Sequence, residues 1–178
     1  ANPAVSEAVK RAIDHGCISS LNSYEEVELA EKLIELHPFM EMVRFARTGG
    51  EADAVAVRIA RASTGKSKVV ICGYHGWHDW YLAANLTKKD GLAGLLLPGL
   101  DPAGVPKELA GTTLPCHYGK IEELEKIISE NQGEIGVIIT EVQRGKVADI
   151  DFLKKVRTIA NKINAVLIFD EVSSSFRL

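Results

Sequence analysis

The sequence predicts an α/β fold: a mainly parallel sheet with helices on both of its faces. Three observations carry that prediction. The short runs Lys68–Cys72, Gly136–Thr140 and Ala165–Phe169 are apolar and β-branched without alternation, as strands covered on both sides are. Segments of helical spacing lie before and between them, at 51–62, 119–130 and 150–162. The alternation of helix and buried strand through the last third is the pattern of parallel crossovers.

The elements are justified in chain order. Residues 4–15 place Val5, Ala8, Val9, Ala12 and Ile13 on one side of a helix, which Gly16 to Asn22 breaks. Ser23-Tyr24-Glu25-Glu26 reads as a capping box, with the serine oxygen accepting an amide and the glutamate three positions on answering it. The helix it opens is expected to run to Leu36, to bury Val27, Ala30, Leu33 and Ile34, and to stop before Pro38. Met42–Ala46 is a short apolar stretch read as a strand, ending at Arg47-Thr48-Gly49-Gly50. Residues 73–118 are rich in glycine and proline and the least legible; Leu92 to Leu97 is expected to be a strand or a covered loop.

Composition narrows the function classes. With 46% hydrophobic residues the chain can build a core, so disorder is a poor reading. A net charge of −3, with basic residues no more clustered than Lys88-Lys89 and Lys154-Lys155, gives no sign of nucleic acid or an anionic membrane as partner. No apolar run approaches the roughly 18 residues of a membrane span. Cys17, Cys72 and Cys116 are odd in number and far apart, which fits reduced thiols and a cytoplasmic location. The sequon Asn85-Leu86-Thr87 then has no meaning as a glycosylation site. A chain that stops just after a strand-like run is expected to be a fragment of a longer protein.

Ligands gather at the carboxyl ends of strands in open α/β sheets, so the residues there are the candidates. Thr48-Gly49-Gly50-Glu51-Ala52 opens a helix whose first amides would face an anion, or is a plain turn. Gly73-Tyr74-His75-Gly76-Trp77-His78-Asp79 offers an aromatic ring to a planar ligand, or is a packed turn. A zinc site from His75, His78 and His117 lacks a cysteine or carboxylate cluster to complete it, and no metal is expected. Asp170-Glu171-Val172 puts a carboxylate at the end of a buried strand, where it must meet a cation or a donor, or cap the following loop. Gly65-Lys66-Ser67 imitates the tail of a nucleotide P-loop, but Ala60 stands where its first glycine belongs, and a helix precedes it.

Taken in order, these segments resemble the class III aminotransferases, the group that includes glutamate-1-semialdehyde aminomutase. The matches are Thr48 to Ala52, Tyr74-His75-Gly76, Asp170-Glu171-Val172 and Phe176-Arg177. The resemblance spans residues 20–178 and less than half of a full-length member. It implies a cofactor, pyridoxal 5'-phosphate (PLP), and a role in moving an amino group between a small-molecule donor and acceptor in a homodimer. It implies an N-terminal helical segment over 1–40 and part of the fold type I large domain over 41–178. By resemblance, Asp170 pairs with the pyridine nitrogen, Tyr74 and Val172 confine the ring, and the Thr48, Gly49 and Gly50 amides with the Thr48 hydroxyl bind the phosphate. His75 belongs to the same cofactor-binding set, and Glu141 is placed near the cofactor in a supporting role.

Departures qualify the match. Gly50 replaces a serine or threonine of many relatives, Val142 a proline and Ser175 a glycine. Lys146 stands where the ω-amino-acid branch has a glutamate, which leans toward the aminomutase-like branch. The family's Schiff-base lysine lies beyond Leu178, and Lys66, Lys68 and Lys146 match no such position, so the 178 residues alone are expected to be inactive. The alternatives are a non-catalytic relative of the same fold and a dinucleotide-binding α/β domain. Against the second, no Gly-x-Gly-x-x-Gly is present.

Overall fold

The computed structural model describes residues 2–17, 20–87, 91–95, 99–143 and 147–177, in two compact units, Ala1–Phe45 and Ala46–Leu178. In the first unit, α1 (Pro3–His15) starts at Asn2, whose side chain accepts the Ala4 amide at 2.9 Å, with Pro3 in the first turn where its missing N–H costs nothing. In α2 (Tyr24–Leu36) the serine half of the expected capping box forms, Ser23 Oγ accepting the Glu26 amide at 3.4 Å. The expected burial does not follow. Val27 is 51% exposed and Ala30, Leu33 and Ile34 are only half-buried, because two short helices enclose no core of their own.

The second unit is a four-stranded parallel sheet in the order β2-β1-β3-β4, with β1 Lys68–Cys72, β2 Thr113–Pro115, β3 Ile135–Glu141 and β4 Val166–Asp170. Helices α3 (Gly49–Thr64), α4 (Asp79–Leu82), α5 (Ala84–Thr87), α6 (Ile121–Glu130) and α7 (Ile150–Lys162) complete it. Successive side chains of a strand point to opposite faces, and two cores result. Val69, Ile71, Val137 and Ile139 pack with Val57 and Ala60 of α3 and with Trp80 and Tyr81 of α4. Val70, Cys72 and Ile138 pack with Leu124 of α6 and with Phe152, Val156 and Ala160 of α7. All seven residues of β3 are buried, as its apolar run demands.

Gly136 sets the register of β3. Lys68 pairs with Ile135 but Val69 pairs with Val137, so Gly136 is an extra residue. A Cβ there would run into Thr64 Oγ1 and Lys66 Cβ at the end of α3.

The stretch Met42–Ala46 is not a strand; it joins no ladder of the sheet. Leu92 and Leu95 are buried in turns, the covered-loop alternative, while 96–98 lie outside the described residues. Lys88, Lys89 and Lys146 also lie outside them. Asn85 works internally, donating to the Leu100 carbonyl at 2.7 Å and accepting the Leu92 amide at 2.9 Å. Cys72 and Cys116 are both buried beside each other at the ends of β1 and β2, where the Cys116 amide donates to the Ile71 carbonyl at 2.9 Å. Among the described residues, no helix is long and apolar enough to cross a membrane.

Candidate functional site

Three of the four strands end at one cavity. Its volume is about 490 Å³, and its walls come from the start of α3 and from the turns after β1, β3 and β4. Thr48, Gly49, Gly50, Tyr74, Glu141, Asp170 and Val172 all line it, so the residues singled out from separate stretches of sequence are brought together. His75 is the exception. It is 1% exposed, does not line the cavity, and stands behind Asp170 because the turn after β1 carries Tyr74 outward and the next side chain inward.

The start of α3 brings its first-turn backbone to the cavity wall. Thr48 is the N-cap of a full capping box. Its Oγ1 accepts the Glu51 amide at 3.2 Å, and Glu51 Oε2 accepts the Thr48 amide at 3.2 Å and the Arg47 amide at 2.9 Å. The Thr48 amide, one of the three expected phosphate donors, thus has Glu51 as its acceptor within the capping box. The amides of Gly49 and Gly50, in the first turn, have no intrahelical acceptor, and the Thr48 hydroxyl still has a proton to give. Glycine is required here by space. A Cβ on Gly49 would sit 2.5 Å from Val172 Cγ2, and one on Gly76 would sit 2.9 Å from the Gly50 Cα. Gly76 also has φ +91°, a left-handed conformation.

The opposite character is found at the end of β4. Asp170 is 8% exposed, and its Oδ1 accepts the Val172 amide at 2.9 Å while Oδ2 accepts His75 Nδ1 at 2.8 Å. Burial pushes its pKa up, but the His75 and Val172 hydrogen bonds outweigh that and hold it below the ordinary carboxylate value. Glu141, 8% exposed, accepts the Tyr74 amide at 3.4 Å, and its carboxylate fills the space where a side chain on Gly73 would have to go. Tyr74 is half-buried and packs edge-on against Tyr81 at 5.7 Å, whose hydroxyl donates to the Gly73 carbonyl at 2.9 Å.

Sequence reasoning missed Asp53. It lies on α3, is 7% exposed, lines the cavity, and has a carboxyl oxygen within 4.8 Å of one of Asp170. Trp77, His78, Gln143 and Ser173 also line the cavity. The three histidines do not form one site. His78 lies against Gly50, and His117 pairs with Glu123 at 2.9 Å.

The cavity thus presents helix-start amides, a buried carboxylate and the Tyr74 ring among its lining groups. These residues fit a flat phosphorylated heterocycle with a protonated ring nitrogen.

Comparison with known proteins agrees with that chemistry. Residues 1–176 match the model of the family "Aminotransferase class-III". Glutamate-1-semialdehyde 2,1-aminomutases from Ignicoccus hospitalis and Geotalea daltonii are each 37% identical, over 99% of this chain and 42% of their own length. A transaminase with PLP bound superposes with a TM-score of 0.81 at 28% identity, over 97% of this chain and 41% of that one. An omega-transaminase from Sphaerobacter thermophilus does so at 0.79 and 26%, with the same coverage. The chain spans about 42% of the length of the curated relatives it matches. The chain belongs to the class-III aminotransferase family.

Proposed function

We propose that the protein containing this chain transfers or relocates an amino group between an amine or amino acid and an oxo-acid or aldehyde, with PLP seated in the 490 Å³ cavity. The observation that carries this reading is the convergence of the α3 amides and the buried Asp170 carboxylate on one cavity. PLP, when bound, withdraws electrons from the carbon next to the reacting nitrogen.

The chain's own residues supply binding and electrostatics. The Gly49 and Gly50 amides and the Thr48 hydroxyl orient a phosphate, with the α3 dipole behind them. Asp170 holds a proton on the ring nitrogen, and His75 and the Val172 amide keep Asp170 anionic for that task. Tyr74 and Val172 confine the ring, and Glu141 fixes the Tyr74 backbone. No lysine side chain lines the cavity among the described residues, so the Schiff-base amine is assigned to a part of the protein outside them. The 37% relatives favour the aminomutase variant, acting within one amino-aldehyde. A homodimer and a cytoplasmic location belong to the same proposal. A dinucleotide is disfavoured because α3 opens on Thr48-Gly49-Gly50-Glu51-Ala52 and not on a Gly-x-Gly-x-x-Gly turn.

The test uses the whole protein. Titration with PLP should produce the visible absorbance band of bound cofactor, and an amino-aldehyde or amino-acid donor should turn over. Asp170→Ala should cost about 10²-fold or more in turnover. A whole protein that shows no band at saturating PLP, or an Asp170→Ala variant of full activity, overturns the assignment.

A further inference from the structure

Asp53 lies one turn into α3, on the side that also carries Val57 and Ala60 into the core. One of its carboxyl oxygens, a ring nitrogen of His75 and a carboxyl oxygen of Asp170 all lie within 4.8 Å of one another. Asp53 and Asp170 are both buried, 7% and 8% exposed, so two carboxyl groups this close lie out of reach of bulk water. Two ionised carboxylates in that position would repel each other with little screening. A single proton held between them removes the repulsion.

The surroundings decide which oxygen carries it. Asp170 receives two donors, the Val172 amide and His75 Nδ1, at 2.9 and 2.8 Å, and both favour its charge. The groups facing Asp53 from the other elements are Asp170 at the end of β4, Glu141 at the end of β3 and His75 after β1, with His78 across at Gly50. No lysine or arginine among the described residues lines the cavity to neutralise a second carboxylate. Burial, then the charge of Asp170, pushes the Asp53 carboxyl up to about 8.

We propose that Asp53 is a positioning residue which, as a neutral carboxylic acid, donates a hydrogen bond to Asp170 and so holds that carboxylate anionic and aimed into the cavity. Asp170 then has three fixed donors, His75, the Val172 amide and Asp53, and presents its remaining acceptor capacity to the ligand. One negative charge, not two, stands against the bound nitrogen. Raising the pH releases the Asp53 proton to solvent, removes the donor, and leaves two like charges in contact. The inference rests on the reading of Asp170 as partner of the cofactor's ring nitrogen, but the proton itself can be observed without cofactor.

The experiment is infrared difference spectroscopy of the whole apo protein, paired with cofactor titration. The wild type should show the C=O stretch of a protonated carboxyl at pH 6.5, fading with a midpoint near 8 and missing in Asp53→Asn. Asparagine keeps a donor without a titrating proton. Asp53→Asn should therefore keep PLP affinity within about threefold at pH 7, and its affinity should lack the wild type's change across pH 8. Asp53→Leu removes the donor and should weaken PLP binding by about tenfold or more; circular dichroism of each variant checks that it is folded. An apo wild type without the protonated band, or an Asp53→Asn variant as weak as Asp53→Leu, overturns the inference. A wild type that never binds PLP sinks the functional reading instead, while the apo spectrum still decides Asp53.

Discussion

At the scale of single residues, Asp170 and Asp53 sit in nearly the same burial and titrate in opposite directions. The difference is donors: Asp170 has His75 and the Val172 amide, and Asp53 faces acids. That has a consequence for stability. A carboxyl raised from its ordinary 3.8 to about 8 makes the folded state bind more protons than the unfolded state across that window. Stability then falls as pH rises from about 4 to 8. Asp170 works the other way, its contribution being present above its ordinary value and lost on acidification. Asp53→Asn removes the first slope, so its thermal midpoint should exceed the wild type's at pH 8, with the gap closing toward pH 4. Differential scanning calorimetry of the apo protein checks this, and a gap that is constant with pH would contradict it. Asp170, Tyr74 and the glycine turn were legible in the sequence because each follows an apolar run or opens a helix. Asp53 was not, since an aspartate in an alanine-rich helix reads as solvent-facing. The available signal was its spacing, 53, 57 and 60 sharing one side of α3 with two buried residues.

At the scale of elements, α3 joins folding to binding. The capping box that starts the helix consumes the Thr48 amide and leaves the two glycine amides facing the cavity. Thr48→Ala should destabilise the protein by about 1 kcal/mol, read from denaturant midpoints, and Thr48→Ser should restore most of it. The strands β1, β3 and β4 were legible to within a residue because runs such as Val-Ile-Ile admit little else in a covered sheet. Between 73 and 118 the conformation is fixed by distant partners. Asn85 ties Leu92 to Leu100, and the Thr113 hydroxyl bonds the Trp80 carbonyl, contacts that no local pattern announces. Strand β2, three residues ending in proline, carries too little pattern to be read. Met42–Ala46 has the composition of a strand but no ladder to join.

At the scale of the whole molecule, the parallel sheet explains why scattered sequence motifs meet. Every strand points the same way, so the turns after β1, β3 and β4 open on one edge, and α3, packed on one face of the sheet, brings its first turn to that edge. Gly136 matters to this arrangement because its extra residue lets β3 keep β1 on one side and β4 on the other while the end of α3 closes over it. The adjoining buried thiols give the sheet an internal reporter. A hydrogen bond with Cys116, then burial, holds the Cys72 thiol well above its ordinary pKa, so the reactive thiolate is suppressed while the β1–β2 edge stays shut. Cys17 is exposed and should be alkylated at once, serving as the clock's zero mark. Labelling at positions 72 and 116 should then proceed together, at the rate at which that edge breathes.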